Sequence, residues 1–120
     1  MKFDRSKYSH NSQVWLNWSE INLIQKKKKI IFFGRGEWLT KSLPYLSESA
    51  IFIVDNNPYE QGQFEENLEI FHPDKIKEYS LNEIFILITT TSFPDVDLQL
   101  REFGLLGGTN FAVSPSLKNF

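Results

Sequence analysis

Ile30-Ile31-Phe32-Phe33-Gly34-Arg35-Gly36-Glu37-Trp38-Leu39 is the stretch on which the reading of this 120-residue chain turns. Four apolar residues run without a polar break and stop at a glycine. A parallel strand covered on both faces reads this way, because neither face tolerates an exposed polar alternation. Beyond the stop, two glycines flank one residue and a helical pattern begins, with Leu39, Leu43 and Leu46 spaced to turn one face toward a sheet. Pro44 interrupts that pattern. It lacks an N–H and clashes with the carbonyl four residues back, so the helix is expected to kink or end near Leu43.

Two further runs repeat the strand pattern. Ile51-Phe52-Ile53-Val54 stops at Asp55, and Ile84-Phe85-Ile86-Leu87-Ile88 passes into Thr89-Thr90-Thr91-Ser92. Three buried strands separated by helical or loop segments predict an α/β fold: a single doubly wound, mostly parallel, Rossmann-like sheet with right-handed crossovers. Upstream, Val14, Trp18, Ile21 and Ile24 recur at helical spacing, with Trp15 and Leu16 beside them, which predicts a leading N-terminal helix over 12–25 capped by Ser12. The Lys26–Lys29 run is read as solvated, since four like charges are not buried without partners. Asp55-Asn56-Asn57-Pro58 and the acidic stretch to Glu69 read as a loop. Leu68–Phe71 reads as a short strand, His72-Pro73-Asp74 as a turn and cap before Ile76–Tyr79, Asp95–Phe103 as a helix closed by Gly104, and Asn110–Val113 as a last strand. The expected organisation is one domain over 1–120, with a tail and helix over 1–27 and a nucleotide-cleft core over 28–115.

Composition narrows the chemistry. No cysteine is present, so disulfides, thiolate nucleophiles and thiolate metal sites are excluded. His10 and His72 have no metal-ligand spacing, and no metal is expected. Met1–Ser12 lacks the apolar core of a secretory signal and no long apolar run spans a bilayer, so a cytoplasmic protein without membrane contact is expected. The net charge of −2 conceals an asymmetry. Residues 1–41 carry nine Lys/Arg against three Asp/Glu, and 42–120 carry four against twelve, or +6 and −8. That division suits a solvated basic face, an acidic partner or head-to-tail self-association, and disfavours nucleic acid.

In open parallel sheets ligands bind beyond the carboxyl ends of the strands, where the strand order reverses. Those ends carry the candidate ligand-binding residues Gly34, Arg35, Gly36, Asp55, Asn56, Tyr59, Thr90 and Ser92. The two glycines permit a tight turn and close backbone approach to an anion, and Asp55, 21 residues after Gly34, stands where a carboxylate accepts from ribose hydroxyls. The hydroxyls of Thr89 to Ser92 offer hydrogen bonds to a sugar or phosphate, and Tyr59 and Phe93 offer stacking faces. Each residue also has a plainer reading: a structural turn for the glycines, an Asx-turn for Asp55, strand propensity for the threonines. Leu39 stands at the third glycine position of the dinucleotide loop, and Glu37 sits where it competes with phosphate. Arg35 either offsets Glu37 or faces water. No nucleophile–base pair declares itself, and catalytic residues are not assigned.

Phe33-Gly34-Arg35-Gly36, then Val54-Asp55-Asn56-Asn57-Pro58-Tyr59-Glu60-Gln61-Gly62, then Phe71-His72-Pro73 and Ile86-Leu87-Ile88-Thr89 together resemble a small Rossmann-type module. It is similar to the C-terminal domain of bacterial sugar C-methyltransferases and to domains beside polysaccharide-synthesis enzymes. The resemblance covers about residues 28–115 and is most specific at Asp55, Asn57, Pro58, Tyr59, Gln61 and Gly62. It implies a module that helps hold a nucleotide-sugar, without the family's methyl-donor domain or cysteine zinc site.

The function expected is thus a non-catalytic or accessory domain binding a sugar-nucleotide or similar nucleotide ligand in sugar or polysaccharide metabolism. A catalytic partner protein or a homo-oligomer is expected with it. The alternative is a ligand-free interaction or scaffold module using the Trp15/Trp18 helix and Lys26–Lys29. An NAD-binding oxidoreductase domain ranks lowest, because Leu39 breaks the fingerprint.

Overall fold

The computed structural model describes residues 13–46, 48–118 and 120. His10 and the expected Ser12 cap lie outside them. Six strands form the sheet: β1 (Lys29–Phe33), β2 (Ala50–Val54), β3 (Phe64–Glu65), β4 (Leu68–Phe71), β5 (Ile84–Ile88) and β6 (Phe111–Val113). Their order is β3-β4-β2-β1-β5-β6, with every pair parallel except β3 with β4. Leaving out β3, the parallel strands follow the 3-2-1-4-5 order of doubly wound nucleotide-binding sheets, with the reversal between β1 and β5.

Helices cover both faces. On one lie α1 (Trp18–Gln25) and α2 (Glu37–Ser42), whose Ile21 and Leu39 pack with Ile30, Phe32, Ile53, Phe85 and Leu87. On the other lies α3 (Phe93–Glu102), whose Phe93, Val96 and Leu100 pack with Ile31, Phe33, Ile86 and Ile88. Alternate residues of β1 and β5 thus serve opposite cores, which is why both strands read as unbroken apolar runs. The β1-to-β2 and β5-to-β6 crossovers travel in opposite directions across the sheet. Connections of one hand then place their helices on opposite faces, as found.

Local chemistry sets the element ends. Pro44 does end α2 as expected: the helix stops at Ser42, and Leu43–Tyr45 continues as a single 3₁₀ turn. In α3, the N–H of Gly104 (φ 89°) donates to Arg101 and that of Leu105 to Leu100, a Schellman closure. His72 Nδ1 accepts from the Asp74 N–H and caps a 3₁₀ helix over Pro73–Glu78.

Three expectations are corrected. The leading helix starts at Trp18, because Asn17 and Glu20 form a reciprocal capping box, Asn17 Oδ1 taking the Glu20 N–H and Glu20 Oε1 the Asn17 N–H. Val14 and Trp15 are instead extended along β6, with Val113 donating to the Val14 carbonyl at 2.8 Å and Trp15 bridging Val113. Second, the acidic stretch is not all loop: β3 and β4 form a hairpin turned by Glu66 (φ 53°) and Asn67 (φ 65°). Two successive positive φ angles mark a primed hairpin turn, which asparagine accepts more readily than most residues. Third, α3 begins at Phe93 and takes Pro94 into its first turn, where the missing N–H costs nothing.

Candidate functional site

The carboxyl ends of β1, β2 and β5 bring together Gly34–Gly36, Asp55–Asn57 and Thr89–Ser92. Gly34 is buried at φ 110°, and its N–H donates to the Val54 carbonyl at 2.9 Å. A Cβ there would lie 2.8 Å from Thr90 Cβ and 3.2 Å from the Thr89 backbone. The glycine thus lets the β5 exit press onto the β1 exit. Thr89, itself fully buried, donates its hydroxyl to the Gly34 carbonyl at 2.6 Å. Its hydroxyl is therefore a clamp across the switch point rather than a group turned outward to a ligand, contrary to the expectation for the threonine run.

Gly36 (φ 103°) starts α2, and a Cβ there would meet open space. Its N–H donates to a carboxylate oxygen of Glu65, carried over from β3. No sequence signal marks Glu65, because its role depends on the hairpin that aims it. Arg35 neither offsets Glu37 nor simply faces water. Its guanidinium forks onto Glu60, Nε to Oε2 at 2.9 Å and Nη2 to Oε1 at 3.0 Å, and reaches Glu65 Oε1 from Nη1 at 3.2 Å. The hydrogen bond to Glu60, helped by the charges of Glu60 and Glu65, holds the Arg35 pKa above its ordinary value against the cost of burial. Glu37 pairs with Lys41 at 3.0 Å in the exposed first turn of α2.

Asp55 Oδ1 accepts the Asn57 N–H at 2.8 Å, and Asn57 Oδ1 accepts the Tyr59 N–H at 3.0 Å, giving two successive Asx turns. Gln61 Nε2 donates to the Asp55 carbonyl at 3.0 Å and ties the loop back to β2. The Asp-x-Asn-Pro-Tyr-x-Gln-Gly string thus has a folding explanation in three of its side chains. Asn56 exchanges two amide hydrogen bonds with Gln99 of α3. Tyr59 stands 84% exposed, with its ring free to receive a planar group. Thr90 Oγ1 accepts the Ser92 N–H at 3.2 Å, and Ser92 precedes α3. Asp97 is buried in the second turn of α3 and accepts from Arg101 Nε at 2.6 Å.

Next to the β5 exit, a cavity of about 460 Å³ is lined by Trp15, Thr91, Phe93, Pro94, Leu117 and Phe120, among others. Phe93, expected as a stacking face, is buried edge-on against Trp15 with centroids 5.3 Å apart. Trp18 stacks on Tyr45 at 4.1 Å on the opposite face of the sheet. The two tryptophans therefore do not share a helix surface, and Trp15 drops out of the contact face expected for the scaffold reading. No helix among the described residues is long and apolar enough to cross a membrane.

No family model matches the chain, and no curated protein matches it. Among solved structures it is similar to the UDP-D-quinovosamine 4-dehydrogenase from Vibrio fischeri, at 14% identity over 73% of this chain and 77% of that one, with a TM-score of 0.49. That likeness is too distant to bear on function.

Proposed function

We propose that this domain is an accessory module that holds a nucleotide-type ligand, foremost a sugar-nucleotide, for a catalytic partner in sugar or polysaccharide metabolism. The observation that carries the reading is the strand reversal between β1 and β5, with Gly34, Asp55 and Thr90 at the three strand ends around it. In this reading Asp55 accepts from ribose hydroxyls, Thr90 and Ser92 donate to phosphate or sugar, Tyr59 stacks on a ring, and Arg35 swings from its glutamates to phosphate. Leu39 fills the core where a dinucleotide loop needs a glycine, so a nicotinamide dinucleotide ranks below a sugar-nucleotide. Calorimetry with UDP-sugars and with NAD tests it. Saturable heat with a UDP-sugar, lost in Asp55→Ala, is the expected outcome, and no heat at millimolar ligand overturns the reading.

One observation favours a second reading, an interaction module that kept the fold and gave up the ligand. The Gly36 N–H, the Arg35 guanidinium and the Asn56 amide are all engaged by the chain's own side chains. Glu65→Ala separates the two. A site merely covered by Glu65 binds nucleotide more tightly in this variant, and a site that has lost its ligand stays silent.

A further inference from the structure

We propose that the β3–β4 hairpin of one copy of this chain docks into a lysine-rimmed groove of a second copy, so that copies join head to tail. The groove measures about 420 Å³. Leu23 and Ile24 of α1 and Gly108 form its floor, and Lys26, Lys27 and Lys28 line its rim. Leu23 is 63% exposed although it sits on a helix whose other face is core. Lys28 is anchored through its Nζ to the Thr109 carbonyl at 3.3 Å. Among the described residues no ion pair engages Lys26, Lys27, Lys28 or Lys29. Glu48 lines an adjoining hollow with Lys26 and Lys29, and Glu83 lines another with Lys26 to Lys29, neither within ion-pair distance of these lysines. An apolar floor under ammonium groups that have no carboxylate partner fits an occupant that presents a large apolar side chain flanked by carboxylates.

The chain carries such an occupant. Residues 59–69 contain Glu60, Glu65, Glu66 and Glu69 and no Lys or Arg. Arg35 takes up Glu60 and Glu65, while Glu66 remains exposed at the turn. Between them Phe64 stands 67% exposed on the edge strand β3. The match is one of charge and of shape: one aromatic ring for one apolar floor, carboxylates for the lysine rim.

The contact has to be between copies. β3 and β6 are the first and last of the six strands, and Gly108 and Thr109 lead directly into β6. At roughly 4.8 Å per strand, the hairpin is about 14 Å across the sheet from the Lys26–Lys28 rim, which leads into the start of β1, and about 24 Å from Gly108; Glu65 holds the hairpin beside Gly36, past the opposite end of β1, so no chain reaches its own groove. Because the two surfaces differ, each docked pair still offers one free hairpin and one free groove. Such association is heterologous and continues until it closes a ring or is diluted out.

Sedimentation velocity of the full chain tests this. Mass is expected to rise with concentration at about 20 mM salt and to fall to the monomer at about 500 mM, where the Debye length is only a few Å. Phe64→Ser removes the hairpin's anchor, and the double substitution Lys26→Glu, Lys27→Glu removes the rim. Both are surface changes, and an unchanged circular dichroism spectrum verifies folding. Each variant alone should associate about tenfold or more weakly than the parent. Mixed one to one, they should form a dimer and nothing larger, since one supplies an intact groove and the other an intact hairpin. A parent chain that stays monomeric up to about 1 mM overturns the proposal and leaves the groove to an acidic segment of another protein. So does a variant that associates like the parent, or a mixture that fails to pair.

Discussion

The side-chain amides of Asn56 and Gln99 exchange two hydrogen bonds, of 2.8 Å and 3.0 Å. Asn56 follows β2 and Gln99 belongs to α3, which follows β5, so the pair passes over the end of β1 that lies between those strands. A ligand entering the switch point from the α3 side must part them. On the other side it must part Glu65 from Gly36.

Removing either amide should cost about 0.5–1 kcal/mol, because the pair is exposed and water replaces much of what is lost. Asn56→Ala, Gln99→Ala and the double variant, compared by urea denaturation, should be non-additive: the second substitution adds little once the first has broken the pair.

The two glycines of the turn should respond differently to alanine. At Gly34 the positive φ and the 2.8 Å approach to Thr90 act together, and about 3 kcal/mol or more of stability should disappear. At Gly36 the φ of 103° is strained for alanine, but the space is open, so about 1–2 kcal/mol is expected. Equal losses at both positions would show that Thr90 yields easily.

Arg35→Lys should fail to replace arginine, because an ammonium cannot fork onto Glu60 while reaching Glu65. The side chain is 39% exposed and its pairs are screened, so the expected loss is about 1 kcal/mol at low salt, shrinking as salt is added. The sign of its pH dependence follows from the raised pKa. Arg35's contribution is fully present below the ordinary arginine value and is lost only as pH rises through a still higher one. Between about pH 5 and about pH 9 the stability difference between parent and Arg35→Gln should therefore contain no step from arginine deprotonation.

Leu39→Ala tests the departure from the dinucleotide loop. Leu39 is fully buried among Ile30, Phe32 and Leu46, so truncation should cost about 2–5 kcal/mol in thermal or chemical denaturation. Tighter NAD binding in this variant would mean that the leucine serves mainly to exclude the dinucleotide.

Much of this architecture was legible in the sequence where burial alone dictates it. The unbroken apolar runs at Ile30–Phe33 and Ile84–Ile88 became the neighbouring strands β1 and β5 at the reversal of strand order, and the strand-end positions converge as the parallel sheet requires. Pro44 and Gly104 ended helices for local steric reasons that need no tertiary context. Legibility failed where a residue's role depends on a distant partner. Nothing near Glu65 announces that it will reach Gly36, nor anything near Asn56 that it will find Gln99 43 positions away. Val14 and Trp15 misled because their spacing continues the α1 pattern, while the capping box at Asn17 starts the helix later and frees them to lie along β6.

That last arrangement bears on how the molecule avoids polymerising through its backbone. Exposed strand margins invite other chains to add to them. Val14 and Trp15 occupy the outer side of β6, leaving the two-residue β3, with its glutamate and tight turn, as the exposed margin of the sheet among the described residues. A chain shortened to begin at Leu16 would bare the β6 backbone beside apolar Phe111 and Val113, and should gain a tendency toward amyloid-like aggregation that the longer chain resists.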